Sequence, residues 1–87
     1  MVTGIEIAQR AKEQLASLTG LGLDTVSGIA KDEQGWHVTL ELIEMKRIPE
    51  GNDILATYEA LLNEEGELIR YQRTRRYRRD QVIERES

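Results

Sequence analysis

The sequence of 87 residues has no cysteine, no phenylalanine, one proline, one tryptophan and one histidine. Without cysteine there is no disulfide framework and no thiolate zinc or iron–sulfur site. His37 alone cannot supply the usual multi-histidine catalytic metal sites. The longest apolar runs are Ile54-Leu55-Ala56 and Ala60-Leu61-Leu62, far short of a membrane-spanning helix. Met1-Val2-Thr3-Gly4 lacks the basic start and apolar stretch of a signal peptide, so the chain reads as soluble and cytoplasmic. Its length suits one small domain and not two. That domain is expected over residues 1–79, with 80–87 as a polar C-terminal tail.

What is present is charge, and it is divided. The net charge is −4. Residues 1–69 carry 13 Asp/Glu against 5 Lys/Arg, or −8, and residues 70–87 carry 7 Arg against 3 Asp/Glu, or +4. Six of these arginines lie between Arg70 and Arg79. Such asymmetry often marks a surface for a charged partner. The alternative is a basic strand that neutralises acidic neighbours within its own sheet.

Thr3-Gly4-Ile5-Glu6 fits a capping box, and Ile5, Ala8, Ala11, Leu15 and Leu18 follow at helical spacing. Gly20 supplies a left-handed stop, so a helix is expected over about residues 3–19. The period then changes to two. A first strand, weakened by Gly28, is expected from Val26 to Glu33, with a turn at Asp32-Glu33-Gln34-Gly35. Trp36, Val38, Leu40 and Leu42 alternate with His37, Thr39 and Glu41, and the apolar phase slips at Ile43-Glu44-Met45, which predicts a β-bulge. The third strand runs from Ile54 to Leu62, a turn falls at Asn63-Glu64-Glu65-Gly66, and the fourth runs from Leu68 to about Arg78. Short connections imply antiparallel neighbours. The expected fold is α+β, an N-terminal amphipathic helix packed on a four-stranded antiparallel meander, αββββ. Trp36, Leu40 and Tyr58 are expected in the core. One helix leaves sheet surface over, which leaves a homodimer open.

Little in the sequence supports catalysis. Serine or threonine with His37 is the only route to an activated nucleophile, and His37 falls on the strand face opposite Trp36. The acidic turns lack the oxygen spacing of a calcium loop. Gly20-Leu21-Gly22-Leu23 follows a helix and precedes a strand, the reverse of a dinucleotide fingerprint. No cofactor or metal is expected.

The informative stretch is Ile69 to Arg79. As a regular strand it sets Tyr71, Arg73, Arg75 and Tyr77 on one face, with Arg70, Gln72, Thr74, Arg76 and Arg78 on the other. Guanidiniums interleaved with tyrosine rings suit carboxylate or phosphate recognition and cation–π stacking. A nucleic-acid reader and a strand docking on an acidic protein both fit; so does a strand whose arginines pair with Glu41, Glu44 or Glu59 of its own sheet. The acidity of the remaining chain argues against non-specific nucleic-acid affinity.

From Leu18 to Arg78 the chain resembles the gas vesicle protein O family. The resemblance rests on Leu18-Thr19-Gly20-Leu21, Val26-Ser27-Gly28, Gly35-Trp36, Glu41, Glu44, Arg47-Ile48-Pro49, Asp53, Leu55-Ala56, Tyr58-Glu59, Gly66-Glu67-Leu68, Tyr71 and Arg73-Thr74-Arg75-Arg76-Tyr77. It implies a non-enzymatic accessory protein of gas vesicle formation, without a cofactor, whose partners are other gas vesicle proteins, shell or accessory. Some relatives carry a longer charged N-terminal extension. On this reading Arg73, Arg75, Arg76 and Tyr77 form an interaction strand beside a loop of Arg47, Ile48 and Pro49. The plainer reading is that these residues fix the fold, with Arg47 pairing with Asp53 or Glu59. A nucleic-acid-binding regulator of the gas vesicle genes, using the arginine-rich strand, is the alternative function.

Overall fold

Residues 3–80 are described by a computed structural model. The capping box forms as the sequence predicts. The Thr3 hydroxyl accepts from the Glu6 backbone N–H at 3.2 Å, and the Glu6 carboxylate accepts from the Thr3 N–H at 2.9 Å. Helix α1, Gly4–Thr19, ends where Gly20 takes φ 76° and donates its N–H to the Ala16 carbonyl. Glycine adopts this left-handed conformation without a Cβ penalty.

The buried stripe of α1 differs from the one expected. Ile7, Ala11 and Leu15 are fully buried, whereas Ile5 is 85% exposed and Leu18 59% exposed. A helix lying on a sheet touches it with a narrow stripe, and the strict four-residue spacing of Ile7, Ala11 and Leu15 supplies one.

Four strands follow: β1 (Gly22–Asp32), β2 (Gly35–Met45), β3 (Ile54–Leu62) and β4 (Leu68–Arg78). They form one antiparallel sheet in chain order, so the fold is the expected αββββ, with β1 and β4 at its edges. β1 begins four residues earlier than the sequence suggested. Its register shifts twice, between Leu23 and Thr25 and between Val26 and Gly28. Leu23 and Val26 both pack against the core in spite of their odd spacing. The bulges erase the alternation by which the strand would have been read. The slip at Ile43 to Met45 is a bulge, as expected.

The core lies between α1 and one face of β2 and β3. Val38, Leu40, Leu42, Ala56, Tyr58, Ala60 and Leu62 meet Ile7, Ala11 and Leu15, with Trp36 packed at the margin under Lys31. Of β4, only Leu68 joins this cluster. The amide of Gln14 ties helix to sheet by donating to the Gly66 carbonyl and accepting from the Leu68 N–H, both at 2.9 Å. Beyond Leu68 the helix side of β4 is exposed, with Arg73 and Arg76 at the surface.

Between β2 and β3 the chain makes a loop with a cis Ile48–Pro49 bond and a short 3-10 turn, Glu50–Asn52. The end of the sheet holds this loop: the Arg79 N–H donates to the Asp53 carbonyl and the Asp80 N–H to that of Gly51. The polar tail expected over 80–87 lies, apart from Asp80, outside the described residues.

Candidate partner-binding surface

Among the described residues β4 pairs with β3 alone, which makes it an edge strand. Its faces are not those of a regular strand. The register shifts between Thr57 and Tyr58, where the partner passes from Arg75 to Arg73 and Thr74 is left over. Tyr71, Arg73, Arg76 and Arg78 therefore share the helix side of the sheet, and Arg70, Gln72, Arg75 and Tyr77 share the other. This corrects the expected grouping of Tyr71 and Arg73 with Arg75 and Tyr77. The bulge was hidden because Arg73-Thr74-Arg75-Arg76 contains no apolar residue to reveal a change of phase.

The seven expected contact residues thus fall into three settings. On the helix side, Arg73 and Arg76 converge on the Glu44 carboxylate at 3.1 and 2.8 Å. The Glu44 side chain is only 14% exposed, so the pairing of these arginines with their own sheet, raised as an alternative, is present at this point. Their outer guanidinium faces remain open, for both side chains are about half exposed.

On the opposite side, Arg75 lies over the Tyr77 ring at 4.5 Å. The Tyr77 hydroxyl donates to Glu41 at 2.6 Å. Glu41 is also the acceptor for Thr57 at 2.6 Å and for Ser27 at 2.9 Å, so one buried carboxylate ties β1, β2, β3 and β4 together through three hydroxyls. Burial, and then the bond to Glu41, push the Tyr77 phenol up to about 12. An unfolded chain ionises it near its ordinary value of 10.0. The raised value contributes stability that is complete below about pH 10 and is lost as pH rises through about 12. Urea midpoints measured from pH 9 to 12 should fall across this window, and Tyr77→Phe should remove that part of the fall. An equally steep fall in Tyr77→Phe would refute the assignment.

The loop is the third setting. Arg47, Ile48 and Pro49 are all exposed, and Ile48 is 99% exposed. Arg47 reaches Asp53 as the sequence suggested, but through its backbone: the Arg47 N–H donates to Asp53 Oδ1 at 2.7 Å. The other Asp53 oxygen takes Arg79 Nη2 at 3.2 Å, and Arg79 Nη1 continues to Asp24 at 3.1 Å. Arg79 thus straps the end of β4 to β1 across the sheet. The Arg47 N–H, helped by Arg79 and Lys46, holds the Asp53 carboxyl below its ordinary value despite burial. Asp24 and the role of Arg79 were not singled out from the sequence; 26 residues separate Arg79 from Asp53, and no local pattern joins them.

The structure brings loop and strand together. Arg47, Ile54, Arg76, Tyr77 and Arg78 line one groove of about 270 Å³. Arg73 and Arg75 lie outside it. A smaller hollow of about 90 Å³ on the sheet is lined by His37, Glu59, Arg70 and Gln72 among others. His37 Nε2 is 2.8 Å from Asp32, and no serine or threonine lines the hollow to complete a nucleophilic pair. Among the described residues no cluster of three metal-ligating side chains occurs, and no helix is long and apolar enough to cross a membrane.

Comparison with known proteins gives this surface a context. The family model described as gas vesicle synthesis protein GvpO matches residues 1–83. Gas vesicle protein O of Streptomyces sp. (strain CB03234) is 40% identical over 75 residues, which cover 86% of this chain and 59% of that protein. Gas vesicle protein O of Haloferax mediterranei is 32% identical over 83 residues, covering 93% of this chain and 59% of the relative. Gas vesicle protein O1 of Halobacterium salinarum is 28% identical over 75 residues, with 86% and 63% covered. The chain therefore spans about three fifths of the length of these curated relatives. No solved structure matches it. With the family model matching nearly the whole sequence, the chain belongs to the gas vesicle synthesis protein GvpO family.

Proposed function

We propose that the chain serves gas vesicle formation as a non-enzymatic accessory protein, binding other gas vesicle proteins through β4 and the Arg47–Pro49 loop. The observation that carries this reading is the exposed arginine-rich edge strand beside a loop whose apolar tip takes no part in the core. Basic charge on an otherwise acidic domain favours encounter with acidic protein surfaces. A phosphate backbone is a poorer fit. The net charge is −4, with −8 over residues 1–69, which opposes the phosphate neutralisation on which non-specific nucleic-acid affinity depends.

Tagged protein captured from vesicle-forming cells after nuclease treatment should retain gas vesicle proteins. Combined reversal of Arg73, Arg75 and Arg76 to Glu should abolish that recovery. Because Arg73 and Arg76 hold Glu44 and Arg75 lies on the Tyr77 ring, a second variant, Arg47→Glu, guards against misfolding; its side chain is exposed and in no ion pair among the described residues. Full recovery by both folded variants would remove these residues from the contact. Recovery of nuclease-sensitive material alone would overturn the assembly role.

A further inference from the structure

We infer that the groove between the C-terminal half of α1 and the start of β4 seats an amphipathic helix of a partner protein. The partner's apolar stripe lies on Leu18 and Leu68, with a basic flank toward Glu13 and an acidic flank toward Arg73. This inference rests on the function proposed above and adds a site on the helix side of β4 with a stated partner chemistry.

The groove exists because one helix does not cover four strands. α1 lies over β1, β2 and β3, and beside it a groove of about 420 Å³ is lined by Glu13, Gln14, Ser17, Leu18 and Leu68. Its two walls are fixed to each other, since the Gln14 amide bonds the Gly66 carbonyl and the Leu68 N–H. β4 carries the same surface onward. Leu68 pairs with Leu62, Tyr71 with Ala60 and Arg73 with Tyr58, and all three β3 residues belong to the core under α1. The Tyr71 ring sits 6.2 Å from that of Tyr58, on this same side. From Leu68 to Arg73 the strand runs about 16 Å, the length of about three helical turns.

Leu18 shows that the groove lacks a cover. It continues the stripe of Ile7, Ala11 and Leu15 at a spacing of three, yet it is 59% exposed where they are fully buried. Tyr71, 39% exposed, is likewise only partly covered. The exposed Ser17 between Glu13 and Leu18 is small and lets a second helix approach α1 closely.

Charge then selects the occupant. The α1 wall carries Glu13, exposed and in no ion pair among the described residues. Arg73, at the far end of the strip, meets Glu44 through Nη1 alone at 3.1 Å, and one bond does not use all the donors of a guanidinium. A helix with an apolar stripe between a basic and an acidic flank satisfies both sides. An extended chain along the strand edge fits less well, because β4 is bulged at both Ile69 and Thr74. A second copy of this protein has no stripe to offer, for α1 is its one helix among the described residues and already buries its own. Nucleic acid meets Glu13 unfavourably and leaves Leu18 without an apolar counterpart.

The test is a titration of the full isotope-labelled chain with blocked helical peptides, followed by backbone amide shifts. All three peptides carry one leucine stripe; the flanks are lysine and glutamate, lysine alone, or glutamate alone. The mixed peptide should bind tightest, by several-fold over each of the others, with shifts concentrated at Glu13 to Leu18, Leu68, Tyr71 and Arg73. A central proline should abolish these shifts, because the seat requires a helix. Leu18→Ser should weaken binding several-fold, and Glu13→Lys should turn the preference to the glutamate peptide. Tightest binding by the lysine peptide would mean attraction to the net acidic chain alone and would overturn the inference. So would shifts centred on another face, no binding by any peptide, or undiminished binding by Leu18→Ser. Capture of gas vesicle proteins that survives Leu18→Ser with Glu13→Lys would remove this site and leave the proposed function standing. A native chain that captures none would remove the function itself.

Discussion

Asp53→Ala should lower the melting temperature by on the order of 10 °C or more, a large effect for a single residue far from the main core. Asp53 is fully buried, and its carboxylate does two jobs. One oxygen accepts from the Arg47 N–H at 2.7 Å and the other from Arg79 at 3.2 Å. Alanine leaves a backbone donor unpaired and strands a half-buried guanidinium with Asp24 as its one remaining carboxylate among the described residues. Unmade bonds of this kind cost more than made ones contribute. Scanning calorimetry of Asp53→Ala, Arg79→Met and the double variant would separate the terms. The double variant should be less destabilised than the sum of the two single ones, because the stranded charge is gone. A drop below about 3 °C for Asp53→Ala would contradict the role given to the strap.

The same residue sets an acid limit. Its folded-state value is lowered from 3.8, chiefly by the Arg47 N–H and next by Arg79. Its stabilising contribution is therefore present above about pH 3.8 and is lost as pH falls below that, through the folded value. Asp53→Asn should be less stable at neutral pH and should show a shallower loss on acidification.

The strap also marks where sequence reasoning stops. Local signals served well. The Thr3 cap, the Gly20 stop, the Ile43 bulge and the bounds of β3 and β4 each depend on neighbours within a few residues. β1 was half missed because its two bulges place Leu23 and Val26 on one side, which no period of two describes. For β4 the strand was legible and its faces were not, since arginine on either side of a sheet looks alike in sequence. The Glu41 hub and the Asp53 strap depend on partners that only the meander brings together, Tyr77 lying 36 residues beyond Glu41. The loop was legible as a contact candidate, but its groove with Arg76 and Arg78 needed the sheet. A close approach at Gly35 was equally out of reach.

Gly35→Ala should destabilise the domain by roughly 2–5 kcal/mol, combining backbone strain with overpacking. The turn Asp32-Glu33-Gln34-Gly35 was read from composition, and the Gln34 N–H does bond to Asp32 Oδ1 at 2.9 Å to set it. Gly35 then opens β2 with φ 138°, a conformation that a side chain resists. The sheet adds a second obstacle. A Cβ at Gly35 would meet the Leu62 carbonyl oxygen at 2.3 Å, and that oxygen belongs to the backbone of β3. To make room, the end of β3 must separate from β2 where Trp36 pairs with Leu62, beside the fully buried Leu62 side chain. A domain of this size has stability of about 5–10 kcal/mol, so the substitution removes a large fraction of it. Gly66→Ala is the natural comparison. It shares a positive φ, 90°, but its Cβ would meet the Arg10 side chain, which can swing aside. Urea unfolding should therefore rank Gly35→Ala well below Gly66→Ala in midpoint. Equal midpoints would mean that φ alone limits both sites and that the Leu62 carbonyl yields without cost.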